Sequence, residues 1–440
     1  MTQGKPMKVL LGFTIPVFIG NVFQQFYNMV DAVVVGKFVG TKALAAVGST
    51  GTIIFLIIGF LLGLTAGFTV LTAQKYGAGK MDEMRQTVGN ALILTAVISA
   101  VMTAVSMTGM HALLKFMHTP DDIFKDAYAY VMIICGGIFA QALYNILASI
   151  LRALGNSKVP LYFLILSAML NIVLDLVFVL VFDMGVEGPA IATVLAQGVS
   201  GIICLWYMYR KFPVLHASRE EWRPEFSYMG KLCYIGIPMG LQYSVTAIGT
   251  LVLQAAVNGL GAAVVAGVTA GQKINAFIQC PLEALGQTMA PYAGQNMGAE
   301  KYDRIGKGLK SAVGMGFAVS VLCFVLAIFF GKQLTMLFVD SSETTIISYS
   351  YQFLLYCTGG YCLLTLVNTV RFTIQGMGFS VFAILSGIME MIARILAATV
   401  VVQMIGFAGT CLAHPMAWLF ADVFLIPAFF WCRKKVAKQG

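Results

Sequence analysis

Apolar residues run through the chain in twelve long blocks, at about 8–35, 43–73, 85–110, 124–151, 158–182, 186–210, 229–258, 263–296, 304–330, 343–375, 379–402 and 406–432. Glycine, proline and clusters of charge separate them. A bilayer-spanning helix consumes roughly 20 apolar residues, so the pattern predicts an all-α polytopic membrane protein with twelve transmembrane helices. The first block follows a short basic start, as a signal peptide does, yet it carries Pro16, Asn21, Gln24, Gln25, Asn28 and Asp31 and no small-residue cleavage site. It reads as a retained first span.

The blocks repeat. Ile15-Pro16 recurs as Ile237-Pro238, and 73–85 matches 294–306, with Gly77, Lys80 and Asp82 over Gly298, Lys301 and Asp303. Gly155 lies over Gly376, and Gly185 and Gly188 lie over Gly406 and Gly409, at an offset that stays near 221. Six spans per repeat is an even number, so the halves share one orientation. This predicts two six-helix bundles related by a pseudo-twofold along the membrane normal. The expected division is 1–210 for the first bundle, 211–228 for a polar cytoplasmic linker, and 229–440 for the second.

Composition agrees with a lipid solvent: 59% of the 440 residues are apolar and 11% are charged, against about 25% charged in soluble domains. The net charge of +9 would suggest nucleic acid in a soluble protein. Here topology accounts for it. The side holding the termini carries 20 Lys and Arg and the other side 5, which puts both ends in the cytoplasm; the expected location is the cell's inner or plasma membrane. The nine cysteines sit in apolar runs without metal-ligand spacing, so they read as packing residues and no cofactor is expected.

Charge inside a span is expensive and marks function unless it is paired. The second half holds Lys273, Glu283, Arg371, Glu390, Arg394 and Asp422, three of each sign, with Glu390 and Arg394 at i,i+4 where they can meet. Glu283 has two readings, a partner such as Lys273 or a cavity-facing acid. The first half has Asp31 and Asp175 and no intramembrane base to balance them. Around them Asn21, Gln24, Gln25 and Asn28 step along span 1, Asn171 precedes Asp175 by four, and Thr193 and Gln197 are four apart on span 6. Carboxylate, amide and hydroxyl oxygens are hard ligands suited to Na⁺, and a crowded carboxyl pair equally suits H⁺. The alternative is that these groups glue helices together.

Further polar positions, among them Gln242, Thr246, Gln272, Asn275, Asn368 and Arg371 together with Glu283, mark a candidate cavity in the second half. With 31 Phe, 17 Tyr and 24 Met available, such a cavity would take flat, cationic, amphipathic molecules by stacking and cation–π contact. Pro16 lies on the Asp31 helix, where a missing backbone hydrogen bond makes a bend inexpensive.

These residues resemble those of the multidrug and toxic compound extrusion (MATE) transporters over essentially the full chain. The resemblance is carried by YNMVDAVVVGKFVG at 27–40, RALGNSKVP at 152–160, NIVLD at 171–175, MGVEGPAIAT at 184–193 and PLEALGQTMAPYAGQNMGA at 281–299. It implies two six-helix bundles around a central cavity and an exporter exchanging drugs or metabolites for H⁺ or Na⁺; the expected working state is a monomer. Asp31, Asn171, Asp175 and Thr193 match the cation site of the DinF-like branch, Pro16 matches its bending proline, and Tyr130 lies at a tyrosine of that lobe. The acids that the NorM-like branch carries on helices 7 and 10 are replaced here by Thr246 and Leu364.

The expected function is therefore cation-coupled efflux of small organic cations by alternating access, with Asp31, Asn171, Asp175 and Thr193 as the coupling site and Tyr130, Gln24, Asn28 and Gln197 as neighbours. Membrane lipid is the expected surrounding, with no nucleic-acid partner. Two rivals stand beside this: a flippase for lipids or lipid-linked oligosaccharides, which needs a more cationic cavity, and an intramembrane lipid-modifying enzyme. An enzyme needs a nucleophile or metal cluster at membrane depth. His111 and His118 lie in a connector, His216 in the linker, and His414 stands alone in the last span.

Overall fold

The computed structural model describes residues 1–117, 119–216, 218 and 221–438. His118, the linker residues Ala217, Arg219 and Glu220, and the last two residues lie outside them. The first half comprises α1 (Pro6–Val34), α2 (Thr41–Gly77), α3 (Met81–Phe116), α4 (Asp121–Gly136), α5 (Ile138–Ala153), α6 (Lys158–Leu176) and α7 (Glu187–Lys211). The second comprises α8 (Phe226–Asn258), α9 (Ala262–Ile278), α10 (Cys280–Gly298), α11 (Tyr302–Thr335), α12 (Thr344–Gly359), α13 (Tyr361–Gly376), α14 (Val381–Leu396), α15 (Val402–Ile405) and α16 (Phe407–Ala437). Five-residue π-helical turns, Val35–Val39, Val177–Val181 and Ala397–Val401, continue α1, α6 and α14.

Among the described residues, nine helices are long and apolar enough to cross a membrane, and the bent pairs α4–α5 and α12–α13 raise this to eleven. The shorter apolar α9, followed by α10, fills the remaining block. The all-helical polytopic fold is thus the one observed. Three blocks that read as single stretches are interrupted. The chain turns by 47° at Gly137 and by 50° near Gly360. A Cβ on Gly137 would stand 2.2 Å from Val194 Cγ2, and one on Gly360 would stand 2.9 Å from Pro415 Cγ, so each break also brings a neighbouring helix against bare backbone. The block 263–296 divides at Gln279 because Pro281, in the first turn of α10, cannot donate to the turn before it.

Two compact units form, Ile19–Gly240 and Met1–Phe18 with Leu241–Gly440. Their limits fall inside α1 and α8, just after Pro16 and Pro238, whereas the repeat alone suggests a division in the linker. Packing gives the reason. The opening turns of α8 lie on α2: a Cβ on Gly63 would sit 2.3 Å from Met239 O, and one on Gly67 would sit 2.5 Å from Gly236 Cα. Two glycine pairs spaced by four let these backbones touch. The opening turns of α1 use the equivalent place on α10, where Phe13 and Val17 cluster with Ala284, and Thr14 Oγ1 donates to Thr288 Oγ1 at 2.9 Å.

Backbone geometry repeats as well. Gly185 and Gly406 both hold positive φ, 58° and 59°. Gly155, at 87°, has its conformational counterpart in Gly378, at 92°. Gly376, which the sequence overlay pairs with it, is instead the last residue of α13, and a Cβ there would be 2.3 Å from Ala290 O.

The segment before each half's first helix is fastened by polar bonds. Arg85 Nε donates to Glu221 Oε1 at 2.8 Å, and the Glu225 amide donates to Asn90 Oδ1 at 2.9 Å. In the other unit Arg304 Nη2 donates to Gln3 O at 2.7 Å and Lys301 Nζ to Thr2 O at 3.0 Å. Large apolar side chains are left exposed along the helices, for example Val97, Val101 and Val105 on α3 and Val321, Leu322 and Phe329 on α11. Lipid is the solvent for such surfaces.

Candidate functional site

Within the unit Ile19–Gly240, α1, α4, α6 and α7 bring six polar side chains together. Asn171 and Asp175, one helical turn apart on α6, are 1% and 0% exposed. Asn171 Nδ2 donates to Thr193 Oγ1 on α7 at 3.2 Å and lies 3.4 Å from Asp175 Oδ1. Tyr27 and Thr193 share a hydrogen bond of 3.1 Å between their hydroxyls. Asp31, one turn beyond Tyr27, is half-buried, and its carboxyl and that of Asp175 are neighbours that act on one another. Tyr130 from α4 is buried, within electrostatic reach of Asp31, Tyr27 and Asp175.

Two features set this cluster apart. Among the described residues, no lysine or arginine is one of the groups acting on Asp31 or Asp175. Three oxygens of hard-ligand type, Asp31 Oδ1, Asn171 Oδ1 and Asp175 Oδ2, are buried without a hydrogen-bond partner. Two neighbouring buried carboxyls disfavour holding both charges without a counter-ion, and a shared proton or a bound cation relieves the repulsion. The backbone is unusual at the same place, because the π-turns after Asp31 and Asp175 touch each other. Such turns concentrate at functional sites.

Among the other candidates, Gln197 is half-buried one turn after Thr193, with Oε1 unpartnered. Gln24 and Asn28 are exposed on α1 and join no bond of the cluster. Tyr27 is absent from the residues that the sequence pattern singles out, although its place four residues before Asp31 is the signal that would have found it. In the other unit, Glu390 is bonded by Arg371 and by Arg394, the latter at 3.1 Å. This is the paired reading of those charges. Lys273 is exposed on α9, and no ion pair joins it to half-buried Glu283 among the described residues. Gln242 Oε1 accepts from Gln375 Nε2 at 2.8 Å, and Asn275 Oδ1 accepts from Tyr361 OH at 2.6 Å. Asn368 is buried with Nδ2 unpartnered, while Thr246 and Gln272 are half-buried.

A polytopic helical repeat protein with uncompensated acids at membrane depth belongs to the class of membrane transporters. The sequence model of the MatE family matches residues 16–177 and again 238–400, one match per half. The chain belongs to the MatE family of multidrug and toxic compound extrusion transporters. It is 30% identical over 353 residues to "Probable multidrug resistance protein YpnP" of Bacillus subtilis, covering 80% of this chain and 78% of the relative. It is 24% identical over 442 residues to "Probable multidrug resistance protein YoeA" of the same organism, covering 97% and 94%. A solved structure described as the "Outward-facing conformation of a multidrug resistance MATE family transporter of the MOP superfamily" superposes with a TM-score of 0.91 at 22% identity, over 99% of this chain and 97% of that one. Members of the family are transport proteins and not enzymes.

Proposed function

We propose that the protein is a cation-coupled efflux antiporter whose coupling site is the cluster Asp31, Asn171, Asp175 and Thr193, with Tyr27 and Tyr130 as its inner wall. The observation that carries this reading is a pair of neighbouring carboxyls, with no basic group acting on either, in which one oxygen of each, and the Asn171 carbonyl oxygen beside them, is buried without a partner. A proton shared by the carboxyls, or Na⁺ held by the carboxylates, the Asn171 carbonyl and the Thr193 hydroxyl, satisfies that set. This is the arrangement that the DinF-like resemblance implies.

Alternating access follows if the ion and the exported molecule favour different conformations. Pro16 is the hinge of this scheme. It lacks the amide that would tie it to the preceding turn, and α1 passes from one compact unit to the other just after it. The relatives described as multidrug resistance proteins support small organic substrates, and the aromatic and methionine content favours cationic amphipathic ones. The same relatives favour drug export over a lipid flippase. The charge asymmetry favours an orientation with both termini in the cytoplasm, and the reading places the protein in the plasma membrane as a monomer.

The test is dye export by the purified protein in liposomes, with a proton gradient and a Na⁺ gradient imposed separately. One gradient drives export, and Asp31→Asn abolishes the coupling. Export that is indifferent to both gradients, or unaltered in Asp31→Asn, refutes the reading.

A further inference from the structure

A second buried polar cluster lies in the unit of Met1–Phe18 and Leu241–Gly440. Glu390 is the centre of it. Arg371 Nη2 bonds Glu390 Oε1, Arg394 Nη2 donates to Oε2 at 3.1 Å, and Arg371 Nε donates to Ser386 Oγ at 2.9 Å. Both oxygens of this carboxylate are thereby engaged. Two guanidiniums against one carboxylate leave a positive charge over, deep in a helical membrane unit.

α16 brings Asp422 to this triad. Asp422 is 3% exposed, Arg371 and Glu390 are the charges acting on it, and neither of its oxygens has a hydrogen-bond partner. Arg394 has donors to spare, since its Nε and Nη1 are buried without partners. Thr410 and His414 share the face of α16 that carries Asp422, at four-residue spacing with Trp418 between, and Thr410 Oγ1 and His414 Nε2 are buried and partnerless as well.

Four elements supply or withhold charge around Asp422. α13 contributes Arg371 and α14 contributes Glu390, which also holds Arg394; on α16 itself His414, two turns before Asp422, is acted on by Arg394 and Glu390, and its ring stands edge-on to Phe353. α12, also packed on α16, has no charged side chain. The charges of α11 lie at its ends, where Asp303 meets Arg433.

An ionised carboxylate buried without donors is costly, whereas the neutral acid needs little and adds a donor of its own. The geometry around Asp422 is that of the acid. We propose that Asp422 and the triad Arg371–Glu390–Arg394 form a second proton-carrying site, confined to this unit and separate from the Asp31–Asp175 pair. With the proton bound, both arginines stay on Glu390. When the proton leaves to water, Asp422 becomes a rival acceptor, draws guanidinium N–H groups toward α16, and cancels the surplus positive charge. One proton is exchanged and no other group is consumed. The partner change repacks α13 and α14 against α16. This site shares no residue with the Asp31–Asp175 cluster.

Infrared difference titration of the full-length protein in liposomes tests it through the C=O band of protonated carboxyls. Wild type minus Asp422→Asn is expected to contain such a band at neutral pH, to lose it as pH rises, and to retain it when both proteins also carry Asp31→Asn. Asp422→Glu, which keeps the carboxyl, restores a band and shows that the position tolerates change. A difference spectrum without the band, or a band that vanishes with Asp31→Asn, overturns the proposal.

Discussion

Tyr27 joins the first helix to Thr193, which also accepts from Asn171, so one hydroxyl stands between two helices that carry acids. Removing the Tyr27 hydroxyl costs one neutral hydrogen bond, worth about 1 kcal/mol and hence about fivefold in an equilibrium constant. Tyr27→Phe is expected to raise the half-saturating ion concentration for dye export about fivefold while leaving coupling intact, as the ion dependence of export in liposomes will measure. Asn171 and Asp175 stay together because their one-turn spacing survives folding, and the structure brings Asp31 and Thr193, expected beside them, from two other helices. Gln24 and Asn28 looked equivalent in the sequence, but their row on α1 lies about 60° around the helix from that of Tyr27 and Asp31. A run of polar residues does not say which of two adjacent rows turns inward.

Helices meet here through what is missing from them. Gly63 and Gly67 let α2 accept Gly236 and Met239 at backbone distance, and a methyl at Gly63 would reach 2.3 Å from a carbonyl oxygen with no flexible end to move. Gly63→Ala is therefore expected to lower stability by about 1–3 kcal/mol, read as an earlier melting transition in detergent. Gly48→Ala on the same helix, where nothing lies within 4 Å, is expected to leave melting unchanged or later. The sequence announced twelve hydrophobic blocks because apolar length is additive and local. It concealed the interruption at Gln279 and the bends at Gly137 and Gly360, since a proline or glycine inside a membrane span is compatible with a straight helix or a broken one. The π-turns behind Asp31 and Asp175 left no mark in hydropathy either.

At the scale of the whole molecule, the duplication was plain from recurring glycines and the Ile-Pro pairs, and the two-part match to the MatE family follows it. The limits of the compact units were not, because they depend on where the first turns of α1 and α8 find small-residue partners. The segment leading into α8 is held by charge. Burial opposes ionisation of Glu221, but the Ser218 amide and the Arg85 guanidinium outweigh it and keep the carboxyl below its ordinary 4.5. A depressed carboxyl stabilises the fastened state above that ordinary value and loses its contribution as pH falls through the lower bound value. The attachment should thus persist at neutral pH and loosen only below about 4.5. Amide exchange at Trp222 to Glu225 will report this, rising in acid for the wild type and already fast at neutral pH in Arg85→Gln.

Because each opening helix begins in one compact unit and ends in the other, this polypeptide is threaded like a clasp. Cut between its halves, it would yield two pieces, each carrying a length of its sibling's wall and lacking one of its own.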